Sequence, residues 1–291
     1  MQLSEQTIAF IGAGSMAEAL LRGILGAKLT EPRSVAVLNR NNRDRLAELK
    51  TAYGVRIPDS EDAEERRRLV RAADIVVLAM KPKDVGAAMA EFGPALRPEQ
   101  LVVSVVAGLS IGTLERLLGR AQPIVRTMPN TSSTIGLGAA GVACSASVSA
   151  AQRETALAML RAVGCAVPLA EERLNLVTGL SGSGPAYVYY LMEAMIEAGV
   201  AGGLTPAEAR ELVVQTVLGA ARMVEATGED PALLRAKVTS PNGTTFAAIG
   251  VLDEYRFREG LLQAIRRAEA RAAELGEEIA AAALGGLPPG R

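Results

Sequence analysis

In the first half of the chain, short runs rich in Val, Ile and Leu alternate with longer stretches of helical periodicity. Continuous apolar runs favour strands buried on both faces, and strands that alternate with helices favour a parallel sheet. The pattern therefore predicts an α/β fold with a mostly parallel sheet. The predicted strands are residues 7–11, 34–38, 75–80, 101–106 and 124–127, with a last strand near 139–144.

Helical periodicity replaces the strand pattern in the second half of the chain. The change near Ala170 and Glu171 predicts a boundary between an α/β domain at 1–170 and an all-α domain at 171–291. In the first domain, Asp59 and Ser60 are expected to cap an acidic-then-basic helix. The predicted helices of the second are residues 173–201, 206–227, 231–237, 245–252 and 257–283, with a frayed end at 283–291.

Composition narrows the class of protein. The 291 residues are 49% hydrophobic and 22% charged with a net charge of -1, so no basic surface favours nucleic acid or an anionic membrane. The longest of the strongly apolar helical candidates, near 185–204, carries Glu193 and Glu197, which argues against a membrane span. The first residues lack the cationic stretch and apolar core of a signal peptide. We therefore expect a cytoplasmic protein that acts on a small molecule.

The residue types that are scarce limit the chemistry further. Cys144 and Cys165 form neither a metal-binding nor a CxxC spacing, and we expect both to be buried, reduced thiols. The chain contains no histidine. Catalysis by Ser-His-Asp or Cys-His groups, His-ligated zinc and dehydrogenase mechanisms that use an imidazole are therefore excluded.

A glycine-rich segment follows the first predicted strand. Residues 12–17 read Gly-Ala-Gly-Ser-Met-Ala and fit G-x-G-x-x-A, in which Gly12 permits a tight turn and Gly14 a close approach to pyrophosphate. Ser15 and Met16 open a helix whose free N–H groups and dipole favour a phosphate group. The alternative is a structural glycine turn, but the position between a strand and a helix favours dinucleotide binding. The predicted role of 1–170 is thus to bind a dinucleotide.

The end of the second strand indicates which dinucleotide is bound. NAD enzymes usually have Asp or Glu there to hold the ribose 2′-hydroxyl, whereas this chain has Asn39 and Arg40, with Arg43 close behind. Arg can pair with a 2′-phosphate that a carboxylate would repel. An ordinary solvated loop is the alternative. We predict NADPH as the cofactor, with NADH as a second choice.

Other segments lie at the carboxyl ends of later strands, where ligands bind in such sheets. Lys81 faces either the cofactor or solvent, and the Pro-Asn pair at 129–130 is either part of the site or a common turn. The further predicted cofactor-binding residues are Ala79, Met80, Lys81, Pro82, Ala107, Gly108 and Asn130.

Two segments of the second half are unusual for helices. Residues 180–187 place two Gly and one Pro inside a predicted helix, which requires a break or a close approach of another backbone or a ligand. Residues 238–245 gather four hydroxyl side chains around Pro-Asn-Gly before a helix. A plain N-cap needs one hydroxyl, so this segment is a candidate carboxylate-binding site.

Residues 177–187, Val-Thr-Gly-Leu-Ser-Gly-Ser-Gly-Pro-Ala-Tyr, resemble the signature of the pyrroline-5-carboxylate reductases, and residues 239–245 resemble a second segment of that family. The resemblance spans nearly the whole chain. It implies a Rossmann-type domain followed by an all-α dimerisation domain, a homodimer at least, and a larger ring in some members. Where the family usually has Gly, this chain has Asn242, and we expect the turn to survive because Asn tolerates positive φ.

The implied reaction is reduction of the cyclic imine of pyrroline-5-carboxylate to L-proline. By position, the resemblance assigns substrate contacts to Ser240, Gly243, Thr244 and Thr245, with the Thr245 hydroxyl nearest the ring nitrogen and acting as donor or positioner. A hydroxyacid or ketoacid dehydrogenase would need a lysine donor, and Lys237 is the only lysine after Lys83. A non-catalytic NADPH sensor is the remaining alternative.

Overall fold

The computed structural model describes residues 3–60 and 62–285 of the chain. Among these residues, those up to 183 together with 267–285 form one compact unit, and residues 184–266 form a second. The division predicted from the sequence, at 170 and 171, follows the change of pattern rather than this packing. Residues 171–183 and the last part of the final helix belong to the first unit although they lie beyond that predicted boundary.

The first unit is built on a seven-stranded sheet with the order β2-β1-β3-β4-β5-β6-β7. Neighbouring strands are parallel except β5 and β6, which are antiparallel, so the predicted α/β fold with a mostly parallel sheet is confirmed. The strands are β1 Ile8–Ile11, β2 Val35–Leu38, β3 Ile75–Leu78, β4 Leu101–Ser104, β5 Ile124–Met128, β6 Gly138–Cys144 and β7 Gly164–Pro168.

Strand β7 was missed by the sequence reasoning, which placed the last strand at β6. It pairs with β6 alone, in parallel, and its Gly and Pro ends obscure the strand pattern. The prediction of buried thiols was also wrong, since Cys165 on β7 and Cys144 at the end of β6 are both exposed. Desolvation still raises the pKa of the Cys144 thiol.

Helices cover both faces of the sheet. All four residues of each of the strands β1, β2, β3 and β4 are buried. This continuous burial is why the strands read as unbroken apolar runs. The helices of the first unit are α1 Ser15–Gly26, α2 Arg43–Tyr53, α3 Ala63–Ala72, α4 Val85–Phe92, α5 Ile111–Leu118, α6 Ala150–Arg161 and α7 Leu174–Val177.

The cap of α3 differs from the prediction. The side chain of Asp62, not that of Asp59 or Ser60, accepts the helical N–H of Glu64, at 3.0 Å. The backbone N–H groups of Asp59 and Ser60 instead donate to the Glu65 carboxylate, at 2.8 and 3.0 Å. These bonds lower the pKa of Glu65. The capping residue therefore lies closer to the helix than the sequence reasoning placed it.

The second unit is all-helical, as predicted. Its helices are α8 Gly184–Ala201, α9 Pro206–Thr227, α10 Pro231–Lys237 and α11 Thr244–Glu254, and α12 Phe257–Leu284 begins there and ends in the first unit. Thr205 and Glu208 form a capping box before α9, which fixes its start as predicted. The end of α12 is ordered helix with a buried Ala283, so the expectation of fraying from residue 283 was wrong there. Residues 286–291 lie outside the described part of the chain.

The predicted helix at 173–201 is interrupted. After α7, residues Thr178–Gly182 form a π turn in which the N–H of Ser183 donates to the carbonyl oxygen of Thr178 at 2.8 Å. A Cβ on Gly182 would lie 2.9 Å from the Met128 methyl carbon, so a small residue is needed at that point. The break offered as one explanation for the Gly-rich segment is therefore confirmed, and the group that approaches Gly182 is a side chain, that of Met128, rather than another backbone or a ligand.

The second unit has little core of its own. In residues 184–266, all of which are described, the buried apolar side chains are Ala209 and Val213. Large apolar side chains are instead exposed, including Tyr190 at 76% and Tyr255 at 82%. An apolar surface of this extent indicates a protein–protein interface. Separately, none of the described helices combines the length and apolarity needed to cross a lipid bilayer.

Candidate active site

The glycine-rich turn connects β1 to α1 and leaves open space beside it. Gly12 has φ +114°, and a Cβ there would lie 2.4 Å from the carbonyl oxygen of Ala79 at the end of β3. Among the described residues, a Cβ on Gly14 would meet no atom within 4 Å apart from its chain neighbours and the backbone of its own helix. The fold itself therefore requires glycine at position 12, whereas the free space at position 14 suits a ligand that approaches the backbone closely.

A cleft of about 710 Å³ lies beside this turn, at the carboxyl ends of β1, β2 and β3. We refer to it as the glycine-loop cleft. Its lining includes eight of the predicted cofactor-binding residues: Gly12, Gly14, Ser15, Asn39, Arg40, Ala79, Met80 and Lys81. It also includes basic side chains that the sequence reasoning did not assign to the site: Arg45, Arg66 and Lys83.

The loop between β2 and α2 is shaped by its asparagines. The Asn39 side-chain oxygen accepts the N–H of Asn41 at 3.2 Å, and the Asn42 side chain caps α2 by accepting the N–H of Arg45 at 2.9 Å. Arg40 is exposed and forms no ion pair with any described residue. Arg43, by contrast, donates to the carbonyl oxygen of Asp59 at 3.2 Å. Arg40 is therefore the cation in this loop that remains available to an anion.

Arg45 has a different environment from Arg40. Its Nε donates to the carbonyl oxygen of Ala13 at 3.1 Å, and its guanidinium pairs with Glu18 of α1 and with Glu48. The Tyr53 hydroxyl donates to the same Glu18 carboxylate at 2.9 Å. The bond from Arg45 lowers the pKa of Glu18, while burial raises the pKa of Tyr53. No sequence motif marks Arg45, because Ala13 and Glu18, the partners that tie it to the glycine-rich turn and α1, are distant in the chain.

A second cleft, of about 1060 Å³, lies in the same unit. It contains three further predicted cofactor-binding residues, Pro82, Ala107 and Gly108. Asn175 and Thr178, which precede the π turn, also line it, and Lys83 is shared with the glycine-loop cleft. The predicted residues after β3 and β4 are therefore divided between two adjoining clefts.

Two predicted cofactor-binding residues line neither cleft. Met16 is half-buried in the first turn of α1. Asn130 is buried, and both groups of its side-chain amide are engaged within the protein. Its Nδ2 donates to the carbonyl oxygen of Ser181 at 3.0 Å and its Oδ1 accepts the N–H of Ala139 at 3.2 Å. The geometry gives Asn130 a structural role at the π turn.

In the second unit, the predicted substrate-binding residues gather at the N-terminus of α11. Gly243 is the N-cap, and no side chain caps this helix end. The hydroxyls of Ser240, Thr244 and Thr245 form no hydrogen bond with any described residue, and the first N–H groups of α11 have no helical acceptor. These donors could bind a carboxylate.

Two further features shape this segment. Asn242 has φ +60°, so the expectation that Asn would preserve the turn is confirmed. A Cβ on Gly243 would lie 2.6 Å from the hydroxyl oxygen of Ser240, so a side chain there would displace that hydroxyl. Lys237, the lysine that a hydroxyacid dehydrogenase would need as a proton donor, is paired with Glu229. Its engagement in that pair disfavours such a role.

Comparison with known proteins adds to this geometry. Residues 171–275 match the family described as pyrroline-5-carboxylate reductase dimerisation, and residues 7–108 match NADP oxidoreductase coenzyme F420-dependent. Pyrroline-5-carboxylate reductase 1 of Bacillus spizizenii is 40% identical over 275 residues, which cover 94% of this chain and 91% of the relative. The enzyme of Pseudomonas aeruginosa is 41% identical over 278 residues, with 95% and 99% covered.

This chain belongs to the pyrroline-5-carboxylate reductase family.

Solved structures of the family agree with the fold. A pyrroline-5-carboxylate reductase from Coxiella burnetii superimposes with a TM-score of 0.86 at 39% identity, covering 93% of this chain and 98% of the other. The Plasmodium falciparum reductase, whose structure has NADP bound, gives a TM-score of 0.80 at 27% identity, covering 94% and 99%. The family resemblance stated from the sequence is therefore confirmed, as is the arrangement of a nucleotide-binding α/β part followed by a helical dimerisation segment.

Proposed function

We propose that this protein reduces the C=N bond of 1-pyrroline-5-carboxylate to L-proline, the last step of proline biosynthesis, as a pyrroline-5-carboxylate reductase. The observation that carries the proposal is the N-terminus of α11, where uncapped N–H groups meet the unengaged hydroxyls of Ser240, Thr244 and Thr245. Such a group of donors suits the carboxylate of the substrate. Gly243 contributes by leaving room for Ser240.

The reaction suits a chain that contains no histidine. An imine nitrogen can enter the site already protonated, so its carbon is activated before reduction and no strong acid is needed nearby. The protein must mainly orient the substrate, with reacting atoms about 3–3.5 Å apart. Carboxylate binding at 240–245 supplies this orientation. Thr245 is the proposed catalytic residue: its hydroxyl accepts the N–H of an imine that enters protonated, or donates a proton to the ring nitrogen of one that enters neutral.

NADPH is the proposed cofactor, with NADH as an alternative. The open space beside Gly14 and the free N–H groups at Ser15 and Met16 suit its pyrophosphate, and Asn39 and Arg40 suit its 2′-phosphate. When bound, the reduced nicotinamide supplies the hydride. The remaining proposed contacts are Gly12, Ala79, Met80, Lys81, Pro82, Ala107 and Gly108, while Asn130 acts through the π turn.

We further propose that residues 1–170 bind the dinucleotide and that residues 171–291 bind the substrate and form a homodimer. The exposed apolar side chains of the second unit support a self-association of this kind, because that unit buries little apolar surface alone. A larger ring and a cytoplasmic location stay predictions. Size-exclusion chromatography with light scattering tests the oligomer, and a monomeric mass would contradict the proposal.

The reaction is tested with purified protein, NADPH and racemic pyrroline-5-carboxylate, by following the loss of NADPH absorbance and the chirality of the product. We expect L-proline in amounts equal to the NADPH consumed. Tight NADPH binding without turnover would instead support the sensor alternative.

Thr245→Val tests the catalytic residue, with Thr245→Ser as the variant that retains the hydroxyl. We expect kcat/KM to fall by about a hundredfold in the valine variant, in the range for loss of a proton-transfer group, and to be largely retained in the serine variant. Thr216→Val is the matched control, because Thr216 is exposed on α9 and bonds only to the Leu212 carbonyl among the described residues. An unchanged kcat/KM in Thr245→Val would exclude the assigned role.

A further inference from the structure

The glycine-loop cleft contains two arginines whose surroundings differ. Arg40 lies in the loop after β2 and has no described ion-pair partner, whereas Arg45 lies in the first turn of α2 with three partners. Both line the cleft, and both carry a positive charge that a phosphate would attract. Because both are arginines, their residue type does not distinguish their roles, whereas their contacts do.

Arg45 connects two parts of the glycine-rich turn. Its Nε donates to the carbonyl oxygen of Ala13, between Gly12 and Gly14, at 3.1 Å. Its Nη2 pairs with Glu18, whose own N–H donates to the carbonyl oxygen of Gly14 at 3.0 Å. Because a trans peptide bond directs its C=O and N–H to opposite sides, holding the Ala13 oxygen also fixes the direction of the Gly14 N–H. That N–H is one of the groups proposed to bind pyrophosphate.

The charge of Arg45 is already compensated. Glu18 and Glu48 both pair with its guanidinium, and Tyr53 donates to Glu18 at 2.9 Å and so holds that carboxylate in place. A phosphate that bound Arg45 would have to compete with these carboxylates and would be repelled by them. No such carboxylate pairs with Arg40 in the described part of the chain.

We propose that Arg45 is a positioning residue that holds the glycine-rich turn in its pyrophosphate-binding geometry, and that Arg40 alone of the two recognises the 2′-phosphate. The inference rests on the proposed function for the identity of the cofactor. It separates affinity for any dinucleotide, which depends on Arg45, from preference between NADPH and NADH, which depends on Arg40.

The test measures binding by ligand fluorescence or calorimetry without any imine substrate. The variants are Arg45→Met and Arg40→Met, and Arg33→Met is the matched control, since the Arg33 side chain is 84% exposed and pairs with Glu31. In Arg45→Met we expect the Kd values of NADPH and NADH to rise by similar factors, about tenfold, because the turn is misplaced. In Arg40→Met we expect the Kd of NADPH alone to rise.

Fragments of the cofactor separate the two roles more sharply. ADP-ribose carries the pyrophosphate without a 2′-phosphate, and adenosine 2′-monophosphate carries the 2′-phosphate without any 5′-phosphate. We expect Arg45→Met to weaken ADP-ribose and to spare the 2′-monophosphate, and Arg40→Met to do the reverse. A selective loss of NADPH or of the 2′-monophosphate in Arg45→Met would overturn the proposal, as would unchanged binding of every ligand.

Glu18→Gln provides a second test in case Arg45→Met fails to fold. It retains the bond from Arg45 to Ala13 but removes the carboxylate charge. In Glu18→Gln we expect the binding of NADPH and of NADH to weaken equally, and by less than in Arg45→Met. Tighter binding of NADPH alone would show that Arg45 had become a phosphate contact and would overturn the proposal.

If the binding pattern holds but pyrroline-5-carboxylate is not reduced, the proposed reaction fails and the inference stands. If the imine is reduced but Arg45→Met binds normally, only the inference fails.

Discussion

The side-chain amide of Asn130 donates to the carbonyl oxygen of Ser181 at 3.0 Å. This bond joins the segment after β5 to the π turn at Thr178–Gly182, and the Asn130 oxygen accepts the N–H of Ala139 at the start of β6. A π turn widens the helix and is rarely stable without external contacts. The hydrogen bond and the close packing of Met128 on Gly182 therefore hold the glycine-rich signature in place.

We expect Asn130→Ala to destabilise the protein by about 1–3 kcal/mol, since it leaves the part-buried N–H of Ala139 and the part-buried carbonyl oxygen of Ser181 without their Asn130 partner. For a chain of this size the melting temperature should fall by about 3–10 °C. Thermal unfolding measures the effect, and Thr131→Ala is the control because Thr131 is exposed.

Asn130→Asp separates the two bonds. It retains the acceptor for Ala139 but presents a carboxylate oxygen to the Ser181 carbonyl. We expect it to be at least as destabilising as Asn130→Ala. A variant as stable as the parent protein would show that the bond to Ser181 contributes little.

Gly14→Ala should weaken cofactor binding without affecting the fold. Gly14 has φ −76°, which alanine adopts readily, and no described residue beyond its chain neighbours and its own helix backbone places an atom within 4 Å of a Cβ built there. The methyl group would instead occupy the space proposed for pyrophosphate, and we expect the Kd of NADPH to rise about tenfold or more. Gly26→Ala at the other end of α1 is the control, since it too has open space. Equal NADPH affinity in both variants would argue against a phosphate at Gly14.

Gly243→Ala should impair substrate binding selectively. Its Cβ would lie 2.6 Å from the Ser240 hydroxyl oxygen and 3.1 Å from the Ser240 carbonyl oxygen, so this segment must shift. We expect the KM for pyrroline-5-carboxylate to rise about tenfold while the Kd of NADPH stays unchanged. Gly250→Ala, in the same helix with open space around it, should retain the parental KM. A parental KM in Gly243→Ala would remove Ser240 from the proposed site.

The Glu18–Arg45 pair should make stability depend on pH. The pKa of Glu18 is lowered from its ordinary value of 4.5 by Arg45, so its stabilisation is complete above pH 4.5 and is lost as the pH falls through the lowered pKa. We expect Glu18→Gln to lower the melting temperature by about 2–4 °C at pH 7, for a pair worth about 1 kcal/mol.

At pH values below the lowered pKa, this difference between Glu18→Gln and the parent protein should disappear. Glu31→Gln serves as the control, because its partner Arg33 is largely exposed and the pair is screened by solvent. A difference between parent and Glu18→Gln that persisted unchanged in acid would contradict the prediction.

Much of the fold could be predicted because its information is local. The buried strands β1 to β4 are largely apolar runs, and α9 is capped by Thr205, begins at Pro206 and ends before Gly228. Such signals depend on neighbours in the sequence. Strand β7 was missed because its residues become a strand only by pairing with β6.

In the candidate site, too, some residues could be identified from the sequence and others only from the folded structure. The glycine turn at Gly12 and Gly14 and the hydroxyl-rich segment at 240–245 could be found from residue types and spacing. The roles of Arg45 and Asn130 could not, because the partners that define them, Ala13, Glu18 and Ser181, are brought close only by folding.

The sequence alone determined the fold class, the glycine turn, the family and the chemistry open to a chain without histidine, since each depends on local pattern or on residue types present and absent. Only the tertiary structure decided that Cys144 and Cys165 are exposed, that Arg45 pairs with two carboxylates while Arg40 pairs with none among the described residues, and that Asn130 supports the π turn. These outcomes depend on contacts between segments far apart in the chain, whose free energies no local pattern encodes.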